Sequence, residues 1–195
     1  MKFVPTQRLV SLAMLAALTC GAHAQEVPAT PAASAETPAG SDQALDLGTK
    51  VPDSTSIKEG LFPEDACKEL EASGFKCMGF KPAVRFSIPN AHFQLGSAEL
   101  PVDLKKQLDV FAEVLSNRPA GTPPILVTGH ADASGNVLLN QALSAERAKA
   151  VKSYLTHKGV SPALLRIEGK GAERLADAER PYSAANRRVE ISRLP

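Results

Sequence analysis

The residues with the most chemistry lie in the stretch Gly129-His130-Ala131-Asp132-Ala133-Ser134-Gly135 and in the segment after it, which carries Asn136, Asn140, Ser144, Arg147 and Val151. At roughly 100° per residue, Asn136, Asn140, Arg147 and Val151 fall within about 60° of one another on a helix. This stripe starts polar and turns apolar at Ser144, Ala148, Val151 and Leu155. An arginine at the edge of a buried face is costly without an anionic partner. Asp132 stands in the loop just before the helix, where a helix N-terminus favours a carboxylate. An acid, a guanidinium, an asparagine and glycine-loop amides together suit a zwitterionic ligand. The carboxylate takes an ammonium, and Arg147 takes a carboxylate through two parallel hydrogen bonds. A structural Asp132–Arg147 ion pair meets the same spacing, and spacing alone leaves both readings open.

Other reactive residue types fall short of a site. His92, His130 and His157 lack the spacing of a metal centre, so no metal and no cofactor is expected. His130 reads as packing or loop structure, and Arg188 as a structural or solvated contact. Gly169-Lys170-Gly171 is too short for a phosphate-cradling loop, and Ser134 lacks the flanking glycines of a nucleophile elbow. Composition narrows the field further. The 195 residues hold 22 Lys and Arg against 21 Asp and Glu, with no Trp and two Tyr. That balance excludes a basic nucleic-acid binder, and the scarcity of aromatics argues against base stacking. Charge is uneven along the chain: residues 25–131 carry 9 basic and 14 acidic groups, residues 132–195 carry 11 and 7. The basic excess coincides with the chemistry-bearing stretch.

The elements that must position these groups follow from periodicity. Val84, Phe86 and Ile88 alternate with polar residues, and after Pro89 the alternation resumes at Ala91, Phe93 and Leu95. Leu100, Leu104, Leu108, Phe111 and Leu115 recur at helical spacing. Ile125-Leu126-Val127 predicts a strand, and a long helix follows from about Asn136 to His157, closed by Lys158-Gly159. Val189 and Ile191 mark a last strand. From residue 83 to 195 this predicts an α+β sandwich of βαβαβ type, a small mixed sheet with helices on one face.

The N-terminal part is organised differently. Residues 1–24 read as a secretory signal: Lys2 and Arg8, an apolar run from Leu9 to Thr19, and Ala22-His23-Ala24 as a cleavage site. A lipoprotein signal places a Leu three residues before its Cys, but Ala17 stands there. Cleavage after Ala24 is therefore expected rather than lipid attachment at Cys20. Residues 25–55 are rich in Pro, Ala, Ser and Thr and read as a linker. Residues 56–82 predict a small helical module starting at Pro63-Glu64-Asp65 and ending at Ser73-Gly74. Once Cys20 is removed, Cys67 and Cys77 form an even pair in an exported chain, which predicts a disulfide.

GHADASGNVLLNQALSAERAKAV, followed by AANRRVEI at 184–191, resembles the peptidoglycan-binding domain of the OmpA C-terminal family, shared with Pal and MotB. The resemblance covers roughly residues 84–195 and implies the family's compact sandwich. It implies a ligand, the diaminopimelate of the peptidoglycan stem peptide, held by residues matching Asp132 and Arg147. Asn140 corresponds to the family's helix Asn, Arg187 to the first Arg of NRR, and Phe93 to the aromatic of the opening strand. It implies no catalysis, and a protein of the periplasm associated with the outer membrane. Ala131 replaces the family's usual Thr, which predicts weaker affinity. The family's Gly-Tyr-Gly-Glu appears as Gly169-Lys170-Gly171-Ala172-Glu173, which predicts a different loop from Ala172 to Ser183. An envelope adapter, binding mainly another protein through residues 56–82, is the alternative expectation.

Overall fold

The computed structural model describes residues 44–79, 82–89, 93–94 and 96–194. The expected signal, Cys20 and the linker up to residue 43 lie outside the described residues, as do His92, Ala91 and Leu95. The elements in chain order are β1 (Ala44–Asp46), α1 (Ser54–Leu61), α2 (Pro63–Ala72), β2 (Arg85–Ile88), α3 (Val102–Ser116), β3 (Ile125–Gly129), α4 (Val137–His157), β4 (Leu165–Gly169) and β5 (Val189–Arg193). Short 3-10 turns occupy Pro162–Leu164 and Ala184–Asn186. The strands form one mixed sheet of five in the order β1-β2-β5-β3-β4. β5 runs antiparallel to both β2 and β3, while β3 pairs β4 in parallel across the α4 crossover.

Alternation along each strand sorts side chains to two faces. Phe86 and Ile88 of β2, Val189 and Ile191 of β5, and Ile125 and Val127 of β3 are buried in the core. There they meet Leu104, Leu108, Phe111 and Leu115 of α3 and Ala148, Val151 and Leu155 of α4. α4 approaches the sheet closely at two glycines. A Cβ on Gly129 would collide with the Ser144 backbone, and one on Gly169 would collide with the backbone of Ala145. Ser144 uses the closeness, accepting a hydrogen bond from Gly171 N at 2.8 Å.

The expected linker ends earlier than its composition suggests. Ala44–Asp46 joins the sheet beside β2 in parallel, and α1 begins at Ser54 with Asp53 as its cap. Ile57, Leu61 and Phe62 are buried in the same core as the sheet and α3, and Val84 N bonds Gly60 O at 2.8 Å. Gln107 of α3 donates from its side-chain amide to Gly48 O at 3.1 Å and Lys50 O at 2.7 Å, fastening the β1–α1 connection. α2 starts at Pro63, as its proline and acids predict. Cys67 and Cys77 are joined as a disulfide with Cα atoms 5.3 Å apart. Arg118, stacked 3.4 Å over the Phe62 ring, pairs with Asp65 at 2.6 Å, and Arg193 pairs with Glu64. Phe93, expected in an alternating strand, is buried but lies outside any strand.

Candidate functional site

β3 ends at Gly129, and the loop beyond it is fastened to three separate segments. His130 N donates to Arg188 O at 2.9 Å, Ala131 N to Gly171 O at 2.7 Å, and Ala133 N to Pro181 O at 2.9 Å. The loop is thereby held in place before any side chain contributes, which is how a rigid scaffold presents a binding loop. Asp132 then turns inward and is 5% exposed. Its Oδ1 accepts from the Ser134 amide at 3.0 Å and from the Ser134 hydroxyl. Its Oδ2 receives Arg187 Nη1 at 2.8 Å. Asn140, one turn into α4, donates from Nδ2 to Asp132 O at 3.1 Å and Ser134 O at 2.7 Å, closing the loop onto the helix. Asn136 caps that helix by accepting from Leu138 N at 2.8 Å.

Arg147, two turns further along, is 1% exposed. Its Nε donates to Ser97 O at 3.0 Å and its guanidinium lies 4.7 Å from the centre of the Phe93 ring. The structure therefore does not pair Arg147 with Asp132 directly. The carboxylate's partner is Arg187, from the far end of the chain, and the arginine expected to answer it is held by a carbonyl and an aromatic face. The two groups still share one electrostatic site. Burial lowers the Arg147 pKa, the Arg187 charge lowers it further, and Asp132 opposes both. Burial pushes the Asp132 carboxyl up, but the Ser134 and Arg187 hydrogen bonds outweigh it and hold the group below its ordinary value. The result is one carboxylate and two guanidiniums, the outer of which, Arg187, keeps 30% of its side chain exposed. All five residues expected from the sequence, Asp132, Arg147, Asn140, Arg187 and Phe93, are described: hydrogen bonds join Asp132, Asn140 and Arg187, and Arg147 with Phe93 forms a second group coupled to the first through charge alone.

Two contributors escape sequence reasoning. Asn186 is fully buried; its Nδ2 serves the carbonyls of Asp177, Arg180 and Pro181, and its Oδ1 accepts from Asp177 N at 2.8 Å. It thus shapes the loop whose Pro181 carbonyl fastens Ala133, and it stands immediately before Arg187. Its place in the Asn-Arg-Arg triplet is the only signal. Ser97 supplies a backbone carbonyl, which residue type cannot announce. His130 is fully buried with Nε2 3.4 Å from Glu190 Oε2, as expected for a structural histidine. Among the described residues no group of His, Cys, Asp or Glu could hold a metal ion, and no helix is long and apolar enough to cross a membrane.

Comparison with known proteins places this site in context. The OmpA family model matches residues 92–188. The peptidoglycan-associated lipoprotein of Pseudomonas aeruginosa is 37% identical over 109 residues, which cover 55% of this chain and 63% of that one. Outer membrane protein A of Bordetella avium is 33% identical over 101 residues, 51% of each chain. The crystal structure of the peptidoglycan-associated lipoprotein from Burkholderia pseudomallei matches with 28% identity and a TM-score of 0.48, over 54% of this chain and 87% of that one. The chain thus spans a little under two thirds of the Pseudomonas aeruginosa relative's length.

Proposed function

Because the chain belongs to the OmpA family through residues 92–188, we propose that its domain binds peptidoglycan without catalysis, through the diaminopimelate of the stem peptide. In this reading the zwitterionic end of the ligand enters between Asp132 and the two arginines. Its ammonium takes up the Asp132 carboxylate, and its carboxylate takes a guanidinium fork. One observation carries the reading: a nearly buried carboxylate is paired with a partly exposed rim arginine, Arg187, while a second, fully buried guanidinium, Arg147, stands in the same electrostatic site. Arg187 exchanges Asp132 for the ligand's carboxylate as the ammonium arrives, so no charge is left unpaired. Asn140 holds the loop and Phe93 fixes Arg147 from behind.

Each charge-assisted hydrogen bond contributes about 1.5–3 kcal/mol before the costs of association. A single site is therefore weak, and retention comes from the density of stem peptides in the wall. Export through residues 1–24 places the domain in the periplasm on this reading, with the segment before β1 as its tether to the rest of the envelope.

Co-sedimentation with purified diaminopimelate-type peptidoglycan tests it. Wild type pellets; Asp132→Asn and Arg147→Lys, both still folded by thermal melting, remain in the supernatant. Pelleting by both variants at wild-type levels overturns the clamp. Equal pelleting with lysine-type peptidoglycan overturns the diaminopimelate assignment alone.

A further inference from the structure

We propose that Tyr182 is a stacking platform for a sugar ring, so that the domain grips the glycan strand as well as the peptide attached to it. This subsite rests on the peptidoglycan reading and extends it to a further part of the same ligand. Tyr182 keeps 71% of its surface exposed, although the segment carrying it is fastened on both sides. Before it, Pro181 O accepts from Ala133 N at 2.9 Å, one residue from Asp132, and from the buried Asn186 Nδ2 at 3.1 Å. After it, Ser183 N donates to Arg180 O at 2.9 Å, and Ser183 Oγ accepts from Ala185 N at 3.3 Å. Ser183 thereby caps the 3-10 turn that leads into Arg187, the partner of the Asp132 carboxylate. Tyr182 is thus held between two segments tied to the clamp, and backbone bonds rather than burial of its ring keep it there.

The other tyrosine shows what a structural role looks like. Tyr154 is half-buried on α4, packs against the core and donates its hydroxyl to Asp109 at 2.7 Å. The Tyr182 hydroxyl has no such partner among the described residues, and its ring stands in water beside the binding loop. A pyranose presents weakly positive C–H groups on one face, and an aromatic ring presents a negative one, so the two faces attract. Hydroxyl and amide groups at the sugar's edge then meet polar groups of the same loop. Arg180, largely exposed and held by Asp177 at 2.7 Å, is among them. Val137, Leu138 and Leu139, exposed where α4 begins just beyond the loop, are aliphatic and offer no π face. Reach agrees with the assignment. In the wall the sugar is separated from diaminopimelate by about three residue lengths, which span roughly 10 Å. The path from Asp132 through Ala133 and Pro181 to Tyr182 is comparable: two chain steps of about 3.8 Å and one hydrogen-bonded crossing of 2.9 Å.

The test compares two soluble ligands on the full chain: the diaminopimelate-containing tripeptide of the stem, and the same tripeptide carrying its disaccharide. Isothermal titration is expected to show wild type binding the disaccharide form about five- to tenfold more tightly. Tyr182→Ala closes that gap and leaves the tripeptide affinity at the wild-type value. Tyr182→Phe keeps the gap, because the ring does the stacking. At this exposed position neither substitution lowers the melting temperature. Asp132→Asn weakens both forms alike. Pyranose proton signals shift upfield with wild type and not with Tyr182→Ala. The sugar is neutral, so the gap persists when salt weakens both ligands together. A gap that Tyr182→Ala retains, that Val137→Ser with Leu138→Ser removes instead, or that salt closes overturns the platform and leaves the peptide clamp standing. Equal binding of the two forms by wild type does the same. Wild type that binds neither form overturns the peptidoglycan reading, and the platform with it.

Discussion

Arg187 and Arg188 are neighbours in the chain and serve two carboxylates in different surroundings. Arg187 reaches Asp132 on the loop between β3 and α4, at 2.8 Å and with 30% of its side chain exposed. Arg188 reaches Glu190 within the sheet at the same distance, with 6% exposed, and Glu190 is also approached by His130 and Arg85. In both, a guanidinium meets a carboxylate that is 7% exposed. They differ in what remains available. Glu190 is enclosed by three positive or polarisable neighbours and is held far below the ordinary carboxylate range, at about 2. Asp132 is held down as well, by the Ser134 hydrogen bonds and by an arginine, Arg187, that keeps 30% of its side chain exposed. A buried charge surrounded on every side suits architecture, whereas one whose partner is partly exposed suits the ligand exchange proposed above. Equal distances conceal that difference; exposure of the partner discloses it.

The sharpest way to break this comparison is at Glu190. Glu190→Ala leaves Arg188 buried without its anion and is expected to cost about 3–5 kcal/mol, read from urea denaturation. Peptidoglycan pelleting by the fraction still folded should be unchanged. If binding falls and stability does not, the two clusters have been assigned the wrong way round.

Acid offers the same contrast without mutation. Both Glu190 and His130 have folded-state pKa values below their unfolded values, so the unfolded chain binds protons first as pH falls. The stability they contribute is complete above about pH 6.5 and declines as pH drops, His130 first and Glu190 from about pH 4.5 toward 2. Glu190 alone accounts for a loss of about 3 kcal/mol over that range. Denaturation curves at successive pH values should show it, and Glu190→Gln should flatten the lower part. Stability that is level from pH 7 to 3 contradicts this.

At the other cluster the effects are smaller on the fold and larger on the ligand. Asp132→Asn is expected to cost about 1–2 kcal/mol of stability, since it keeps the shape and loses one charged partner near the surface. Arg187→Ala should change stability by less than about 1 kcal/mol. A double-mutant cycle of these two positions should give a coupling of about 1 kcal/mol or less in the absence of peptidoglycan. Coupling of several kcal/mol marks the pair as architectural and closes the exchange step proposed for Arg187.

How much of this was legible depends on whether the information is local. The α4 stripe of Asn136, Asn140 and Arg147 is set by helical period within twelve residues, and the structure places the three as that period predicts. The start of α2 is likewise local, written in Pro63, Glu64 and Asp65. The partner of Asp132 is not, because Arg187 lies 55 residues away and proximity on the helix pointed to Arg147 instead. α1 was hidden because the helical signals of the module over 56–82 start only at Pro63, while Ser54 and Thr55 fall in the linker; packing of Ile57 and Leu61 with α3 and Phe86 makes it a helix. β1 has three residues, and the pairing that makes it a strand comes from β2 about forty positions later. Asn186 works through backbone carbonyls, and no residue type marks those.

The Gln107 amide has a mechanical consequence. If the chain is drawn taut from the N-terminal side while the Asp132 site is anchored, β1 is the first of the described elements to meet the force, and among the described residues it is held to β2 by a three-residue ladder. Behind it, Gln107 grips Gly48 and Lys50, and behind that the buried Ile57 and Leu61 resist withdrawal. Resistance therefore rises along the chain in the order in which a pull would meet it. The strand acts as a fuse that yields before strain reaches the far end of the sheet, where the loop after β3 keeps its shape.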